Sequence, residues 1–191
     1  MPGVYRVCLQ TGDSGRDATG MFRNPDLLGH IYVGPYLIGH PRHAFVVADR
    51  EGVAGYIFAV EDTLAFEEWQ RIHWWPALRE QYPRIPDDDV RPNANDEDLI
   101  RTLHEPPSTP ETLLGDYPAH LHIDLLPRIH GQGFGRRLME LVEQRLRERG
   151  IRGVHFGVSP ENPKAVSFYE HLGYGVLLET PDDIYLGMRL S

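Results

Sequence analysis

The stretch 123–138, which reads IDLLPRIHGQGFGRRL, decides the fold of this chain. On its N-terminal side, apolar and polar residues alternate over 119–126, which predicts a strand. On its C-terminal side, apolar residues recur at helical spacing over 135–150, which predicts a long amphipathic helix. Between the two lie glycines at every second position, namely Gly131, Gly133 and Gly135. The chain is therefore expected to pass from strand to helix through a glycine-rich loop.

This loop has the properties of an anion-binding site. Glycine allows backbone amides to approach a ligand because no Cβ stands in the way. The first turn of a helix also leaves its N–H groups unpaired and carries the positive end of the helix dipole. We therefore expect the loop to bind a pyrophosphate, with Arg136 and Arg137 adding positive charge at the rim.

Two common nucleotide-binding patterns fit this loop poorly. The dinucleotide-binding fingerprint follows the first strand of its unit and needs an acidic residue at the end of the next strand, whereas here the next strand ends in Val158-Ser-Pro. The P-loop needs a Gly-Lys-Ser/Thr sequence, and the only lysine of the chain is Lys164. The spacing therefore disfavours both nucleotide-binding interpretations.

The rest of the chain reads as further strands and helices. Strands are predicted at 4–9, 44–48, 53–60, 153–158, 175–179 and 185–190, and helices near 16–22, 25–34, 64–81, 97–103 and 162–172. Strands that alternate with helices, together with an antiparallel hairpin at 44–60, indicate a single α/β (α+β) domain over 1–191. The expected architecture is a mixed central sheet flanked by helices.

Acidic charge is concentrated in one segment. Between Glu61 and Asp116 there are 14 acidic and 5 basic residues, which accounts for the whole formal net charge of -9. The segment is also rich in proline and contains the run Asp87-Asp88-Asp89. We interpret 61–118 as an insertion before the strand at 119–126. It is either a solvated surface or a lid whose field attracts a cationic amine or a basic peptide.

Composition excludes several classes of protein. No apolar run approaches the roughly 20 residues of a membrane span, and the negative charge disfavours sequence-independent nucleic-acid binding. One cysteine, Cys8, excludes an internal disulfide and a cysteine-built metal cluster. The ten histidines lack the i, i+4 pairing of a metal site, so no metal is predicted. The N-terminus resembles no secretion signal, and a cytoplasmic location is expected.

The glycine loop resembles the cofactor signature of the GCN5-related N-acetyltransferase superfamily. That signature is Arg/Gln-x-x-Gly-x-Gly/Ala, preceded by a strand and a proline and followed by a long helix. The register that keeps Pro127 in place begins at His130, which departs from the family's arginine or glutamine. The alternative register begins at Arg128 and restores the arginine, but it shifts the loop by two residues. We prefer the register that begins at His130.

A second motif follows at the distance that the family requires. The stretch 162–174, NPKAVSFYEHLGY, is similar to the family's Asn-x-x-Ala-x-x-Phe-Tyr-Glu-x-x-Gly-Phe. The stretches 25–36, 45–56 and 74–83 add a narrower resemblance, to the histone-acetyltransferase-like C-terminal domain of O-GlcNAcase and its free-standing bacterial relatives. The animal domain is thought not to be an active acetyltransferase, but the glycine loop is intact here. The resemblance therefore implies that cofactor binding is retained.

The resemblance implies that acetyl-CoA (coenzyme A) is the cofactor and an amine the acceptor. The strand before the loop would lie alongside the pantetheine arm, and the loop would hold the pyrophosphate. The cofactor-binding residues that it implies are Ile123, Leu125, Leu126, His130, Gly131, Gln132, Gly133, Phe134, Gly135, Arg136, Asn162, Lys164, Ser167 and Tyr169.

Three residues are candidates for the chemistry. Tyr169 matches the family's tyrosine that protonates the departing thiolate, and a phenol suits that role because it is neutral at pH 7. The alternative for Tyr169 is an aromatic residue of the core. His122 and Asp124 lie two residues apart on the polar face of the strand, so either could take a proton from the acceptor amine. They could equally form a structural hydrogen-bonded pair, whereas His120 is expected at the surface.

The acceptor cannot be identified from the sequence. Tyr32 and Tyr36 lie where the family's first helices border the acceptor, and Trp75 is a further candidate contact that could equally pack in the core. The implied activity is an acetyl-CoA-dependent N-acetyltransferase that acts by direct attack in a ternary complex, on a small amine or a basic peptide. The alternative is a non-catalytic module that binds acyl-CoA or a peptide. Homodimerisation occurs in this superfamily and stays open here.

Overall fold

The fold is described from a computed structural model that covers residues 1–85 and 94–190. The acidic run Asp87-Asp88-Asp89 lies outside these residues. The helices of the described part are α1 (Pro2–Leu9), α2 (Leu27–Tyr32), α3 (Gly34–Gly39), α4 (Thr63–Trp69), α5 (Trp75–Gln81), α6 (Ala94–His104), α7 (Glu111–Leu114), α8 (Phe134–Glu148) and α9 (Pro163–His171). Between α4 and α5 the chain forms a π-helical segment, Gln70–Trp74. Among the described residues, no helix combines the length and the apolar character that crossing a membrane requires.

The strands form one mixed sheet, as the sequence predicts. They are β1 (Ala44–Asp49), β2 (Gly52–Val60), β3 (Ala119–Leu125), β4 (Gly153–Val158), β5 (Gly175–Glu179) and β6 (Ile184–Arg189). Their order across the sheet is β1-β2-β3-β4-β6-β5. Only β3 and β4 run parallel; the other neighbours are antiparallel.

The two parallel strands separate soon after they meet. Ala119 pairs with Val154 and His120 with His155, and the β3–β4 ladder ends there. Strand β3 continues to Leu125 along β2, and β4 continues to its end along β6. Beyond His120, the facing edges of β3 and β4 therefore keep unpaired backbone groups, and a gap opens in the middle of the sheet.

Helices cover both faces of the sheet. Alternation along β2 sends Tyr56 and Phe58 into a core shared with α1, α2, α3 and the helices that precede β3, while Ile57 and Ala59 face the core formed with α8. The acidic insertion takes part in the first core, because Phe66 of α4 and several apolar side chains of α5 and α6 are buried there. The described part of the insertion is thus more than a solvated loop.

The strand predicted at 4–9 is wrong, because these residues form helix α1. The segment VYRVCL is rich in β-branched and aromatic residues, which favours a strand locally. However, Val4, Val7 and Cys8 are buried on one side at spacings of three and four, and that side packs in the core shared with β2. Pro2 at the start suits the first helical turn. Packing against the sheet outweighs the local preference.

The short helix predicted near 16–22 is also wrong. This segment consists of turns, and Asp13 and Arg16 form an isolated bridge. The backbone at Ser14 and Gly15 is left-handed, with φ of 50° and 87°. The carboxylate of Asp17 accepts hydrogen bonds from the backbone and the hydroxyl of Thr19. These local hydrogen bonds compete with a helix. The other predicted elements are confirmed, with shifts of a few residues at their ends.

Candidate functional site

A cleft of about 830 Å³ lies against residues 123–125 of β3, beyond the point where the pairing of β3 with β4 ends. Its walls are the end of β3, the glycine loop, the first turn of α8 and the first turns of α9. The predicted cofactor-binding residues that line it are Ile123, Leu125, His130, Gly131, Gly133, Phe134, Gly135, Arg136, Asn162, Lys164 and Tyr169. The tertiary structure thus brings the two sequence motifs together on one cavity.

The glycines of the loop serve two different purposes. Gly131 and Gly133 have φ of 72° and 79°, a left-handed conformation that a residue with a Cβ rarely adopts. Apart from their chain neighbours, no described residue has an atom within 4 Å of where a Cβ would stand at either position, so both glycines border open space. A Cβ at Gly135 would lie 3.0 Å from Cζ of Phe168, which makes this glycine a packing requirement. Gly133 directly precedes α8, so its neighbours present the free amides of the helix start to the cleft.

His130, rather than Arg128, lies at the cleft. Nε2 of His130 donates to the carbonyl oxygen of Leu125 at 2.8 Å, which ties the loop to the end of β3. The Arg128 guanidinium pairs with Asp49 at 2.7 Å and is not among the residues that line the cavity. This arrangement agrees with the register that begins at His130.

The start of α8 is positively polarised. The dipole of this helix of 15 residues directs its positive end at the cleft, and Arg136 and Lys164 lie beside it. Asp124 and Glu161 bring negative charge to other parts of the same cavity. The cleft therefore has one region suited to an anion and another that carries carboxylates.

Three predicted cofactor-binding residues do not line the cleft. Leu126 is buried in the first core, and its backbone N–H donates to the carbonyl of Ala54. The side-chain amide of Gln132 donates to the carbonyl of Arg128 and closes the loop on itself. Ser167 lies on the exposed side of α9. The loop's internal hydrogen bonds determine where Gln132 lies, and the side of α9 that faces solvent determines where Ser167 lies. A sequence motif shows neither.

One wall of the cleft comes from a segment that the sequence analysis did not connect with the site. Thr11 and the turn 14–16 line the cavity opposite the loop. The hydroxyl of Ser14 donates to that of Ser159 at 3.1 Å, and a Cβ at Gly15 would lie 2.9 Å from Nδ2 of Asn162. The left-handed turn allows this close approach. Contacts across 145 residues leave no signal in local periodicity.

Asn162 has a structural role that is visible directly. Its Oδ1 accepts from the backbone N–H of Ala165 at 3.1 Å and caps the N-terminus of α9. Because Asn162 also lines the cleft, the cap holds the second motif in position at the cavity.

Tyr169 is a buried residue that lines the cavity. Its ring packs edge-on against Phe156 at 4.6 Å and Phe168 at 5.1 Å between centroids. No described residue hydrogen-bonds to its hydroxyl, and Tyr169 lines the cleft. Burial, and then the charge of Asp124, raise the pKa of this phenol well above its usual value. Tyr169 is therefore a protonated donor at neutral pH, and it also packs as a core aromatic residue.

His122 and Asp124 belong to one hydrogen-bonded group that includes Tyr56. The buried hydroxyl of Tyr56 donates to Oδ2 of Asp124 and lies 2.9 Å from Nε2 of His122. Nε2 of His122 lies 3.3 Å from the same Oδ2. Asp124 lines the cleft, and no described residue donates to its Oδ1. The arrangement is compatible both with a proton acceptor and with a structural pair.

The predicted substrate contacts lie outside the cleft. Tyr32 is 41% exposed and stacks on His122, with 6.2 Å between the ring centroids. Tyr36 is buried, and its hydroxyl bonds with Nε2 of His120 at 2.7 Å. Trp75 is buried in the first core. Of the three, only Tyr32 has an exposed ring beside the His122 group. Tyr36 instead packs against the rings of Phe58 and Phe66.

The expectation that His120 lies at the surface is wrong. Its ring is held between Tyr36 and the hydroxyl of Thr63, which lies 2.9 Å from Nδ1. Burial, and then the charge of His155, lower the pKa of His120 to about 3. His120 pairs with Val60 of β2, so its side chain lies on the face of the sheet that carries the first core, where a neutral imidazole has a partner for each nitrogen.

Comparisons with known proteins identify the family of this chain. A sequence profile of the Acetyltransferase (GNAT) family matches residues 19–174. Protein O-GlcNAcase of Rattus norvegicus and that of Mus musculus are each 28% identical over 171 residues, which covers 89% of this chain and 18% of the relative. The chain thus spans less than a fifth of the length of these curated relatives.

Solved structures share the fold. The crystal structure of SsHAT superposes with a TM-score of 0.87 at 33% identity, over 100% of this chain and 93% of that one. A GCN5-related N-acetyltransferase from Kribbella flavida has a TM-score of 0.52 at 14% identity, over 98% of this chain and 90% of that one, and shows similarity of fold alone. Both resemblances carried by the motifs are confirmed, and the chain belongs to the Acetyltransferase (GNAT) family.

Proposed function

We propose that this protein is an acetyl-CoA-dependent N-acetyltransferase that moves an acetyl group to an amine by direct attack in a ternary complex. The observation that carries the proposal is the cleft beside the end of β3 that is not paired with β4, whose lining combines the glycine loop, the first turn of α8 and Tyr169. An anion site and a proton donor in one cavity are what this transfer needs.

The residues present fit the cofactor. Gly131 and Gly133 border open space in the left-handed conformation, so backbone amides are accessible to a diphosphate. Arg136 and Lys164 add charge there. The edge of β3 at Ile123, which has no partner on β4, offers backbone groups to the amides of a pantetheine arm. Acetyl-CoA would supply the thioester from which the acetyl group is transferred.

Tyr169 is suited to donate a proton to a departing thiolate. Its hydroxyl is free of protein partners among the described residues and its raised pKa keeps it protonated. The phenol can hydrogen-bond to the sulfur as negative charge develops there and donate its proton to it, and solvent then returns a proton to the tyrosine.

Asp124 and His122 are the groups suited to take the proton that an acceptor amine must lose before attack. Tyr56 holds Oδ2 of Asp124, which leaves Oδ1 available in the cleft. Nε2 of His122 lies 3.3 Å from Oδ2 of Asp124, so His122 could receive the proton through Asp124 or through water. We assign the role to this pair without choosing between its members.

Two measurements test the proposal. Calorimetric titration with acetyl-CoA is expected to show binding of one molecule per chain with micromolar affinity or better, and thiol release is expected with at least one member of a panel of amines. The panel should include small polyamines, aminoglycosides, amino sugars and lysine-containing peptides. An absence of acetyl-CoA binding would remove the proposal. Binding without turnover across the panel would favour a non-catalytic acyl-CoA-binding module instead.

A further inference from the structure

We propose that Cys8, His122 and Asp124, together with the hydroxyl of Tyr56, form a binding site for a divalent transition-metal ion of the zinc type. The thiol sulfur, Nε2 of His122 and a carboxylate oxygen of Asp124 all lie within 4.8 Å of one another. The Tyr56 hydroxyl lies among them, because it bonds with both His122 and Asp124. Sulfur, imidazole nitrogen and carboxylate oxygen are the donors that zinc prefers in proteins.

The geometry needs little adjustment. Around a tetrahedral zinc ion, neighbouring ligand atoms are about 3.3–3.6 Å apart, given metal–ligand distances of about 2.0 Å for N and O and 2.3 Å for S. The separation between His122 and Asp124 is already 3.3 Å. The thiol must therefore approach by up to about 1.5 Å, which rotation about its side-chain bonds can supply. The Tyr56 hydroxyl, which lies 2.9 Å from Nε2 of His122 and closer still to Asp124, must move away from both by about 1 Å or less.

The ligands stand on regular elements rather than on loops. Cys8 lies on α1, Tyr56 on β2, and His122 and Asp124 on one face of β3. The register pairs Tyr56 directly with Asp124 across the sheet. A site built on packed elements holds its ligands in place before the ion arrives, which favours affinity.

The spacing of cysteine and histidine along the chain predicts no metal site. More than 110 residues separate Cys8 from His122, and helix α1 brings them together only because it packs on β2 and β3. The expectation of no metal therefore rests on spacing alone, and the tertiary structure gives a reason to revise it.

When the metal ion binds, every displaced proton has a destination and the charge of the ion is neutralised. The Cys8 thiol releases its proton to solvent and becomes a thiolate, and the imidazole proton moves from Nε2 of His122 to Nδ1. The Tyr56 hydroxyl turns its oxygen lone pair toward the ion and gives up its bond to Asp124. One thiolate and one carboxylate then neutralise a dication in a partly buried site. Because the metal displaces the thiol proton, its affinity increases with pH.

The consequence for catalysis rests on the proposed function. An ion held by His122 and Asp124 would occupy both candidate proton acceptors, while the glycine loop on the other side of the cleft stays accessible. Zn²⁺ is then expected to inhibit amine acetylation without weakening acetyl-CoA binding more than a few-fold.

Co²⁺ titration of the chelator-treated, tag-free chain tests the site. Because Cys8 is the only cysteine, a thiolate-to-cobalt charge-transfer band in the near ultraviolet can arise from this residue alone. One Co²⁺ per chain with such a band, displaced by Zn²⁺, is the expected result. His122→Gln should weaken binding at least tenfold, whereas His171→Gln, on the exposed side of α9, should leave it unchanged.

Two further measurements make the outcome decisive. Cys8→Ser should abolish the band, and Asp124→Asn, which keeps the thiol, should weaken Co²⁺ binding about tenfold or more even if Cys8→Ser does not fold. A wild-type chain that shows no band, or an affinity that His122→Gln and Asp124→Asn leave unchanged, would overturn the proposal. Acetyl-CoA titration of the metal-free chain reports on the proposed function separately, so failure of one proposal is distinguishable from failure of the other.

Discussion

Tyr56 and Asp124 face each other across β2 and β3, and the tyrosine hydroxyl donates to the carboxylate Oδ2. The phenol is fully buried, while Asp124 reaches the cleft. This bond therefore fixes a surface carboxylate to a rigid core residue. It also sets which oxygen of Asp124 remains available, since Oδ1 receives no hydrogen bond from the described residues.

Loss of this hydrogen bond should affect stability and catalysis together. Tyr56→Phe is expected to lower the free energy of unfolding by about 1–2 kcal/mol, because a buried hydroxyl donor is lost. It should also lower kcat and shift the pH profile of kcat, because Asp124 loses its fixed orientation, while acetyl-CoA affinity changes little. Denaturant unfolding and thiol-release kinetics measure the two effects. Tyr185→Phe, at a phenol with no hydrogen bond among the described residues, is the matched control, and an equal effect there would contradict the assignment.

Substitution of a loop glycine should weaken acetyl-CoA binding more than substitution of a glycine elsewhere that has the same backbone conformation. Gly133→Asp is expected to reduce acetyl-CoA affinity at least about 100-fold, since it adds negative charge at a helix start that receives a diphosphate. Gly150 has φ of 72° and open surroundings, and it lies beyond the far end of α8. Gly150→Asp therefore carries similar backbone strain without touching the site. If calorimetry gave both variants the same loss of affinity, strain rather than the site would be responsible.

Tyr169 should matter for the chemical step more than for binding. Tyr169→Phe is expected to lower kcat by roughly 100-fold, the usual contribution of a general acid, while the Kd for acetyl-CoA changes little. Because the pKa of Tyr169 is raised above its ordinary value near 10, the acid form persists at high pH and no alkaline loss of rate from this group is expected below about pH 10. An unchanged kcat in the variant would leave Tyr169 with its packing role only.

His120 should make stability depend on acid pH. Its folded pKa of about 3 lies below the unfolded value near 6.5, so the unfolded chain binds the proton first as the pH falls. The stabilising contribution is complete above about pH 6.5 and is lost as the pH falls from there toward 3, with a slope of at most about 1.4 kcal/mol per pH unit.

Unfolding measured at several pH values between 7 and 4 tests this dependence. His120→Asn should be less stable at pH 7 because hydrogen bonds to Tyr36 and Thr63 are disturbed, and its stability should fall less steeply toward pH 4. His171→Gln serves as the control and should keep the wild-type slope. A variant of His120 with the wild-type slope would assign the acid sensitivity to other groups.

Local signals were enough for the helices that begin in the two motifs. The helix that begins at Phe134 and the one that begins at Pro163 follow from apolar periodicity and from their preceding Gly133 and Asn162. The glycines of the loop also predicted that the loop takes part in a binding site, and these glycines line the cleft. Such features depend on neighbours three or four residues away, which a sequence displays directly.

What the sequence by itself determined was the family, the mixed α/β fold and the two motifs that line the cleft. Only the tertiary structure decided that 4–9 is a helix, that Thr11 and the turn after it form a further wall of the cleft, and that Cys8 lies close to Asp124. The physical reason is that packing against the sheet and contacts across more than a hundred residues arise from the whole fold, and neither leaves a periodic pattern in the chain.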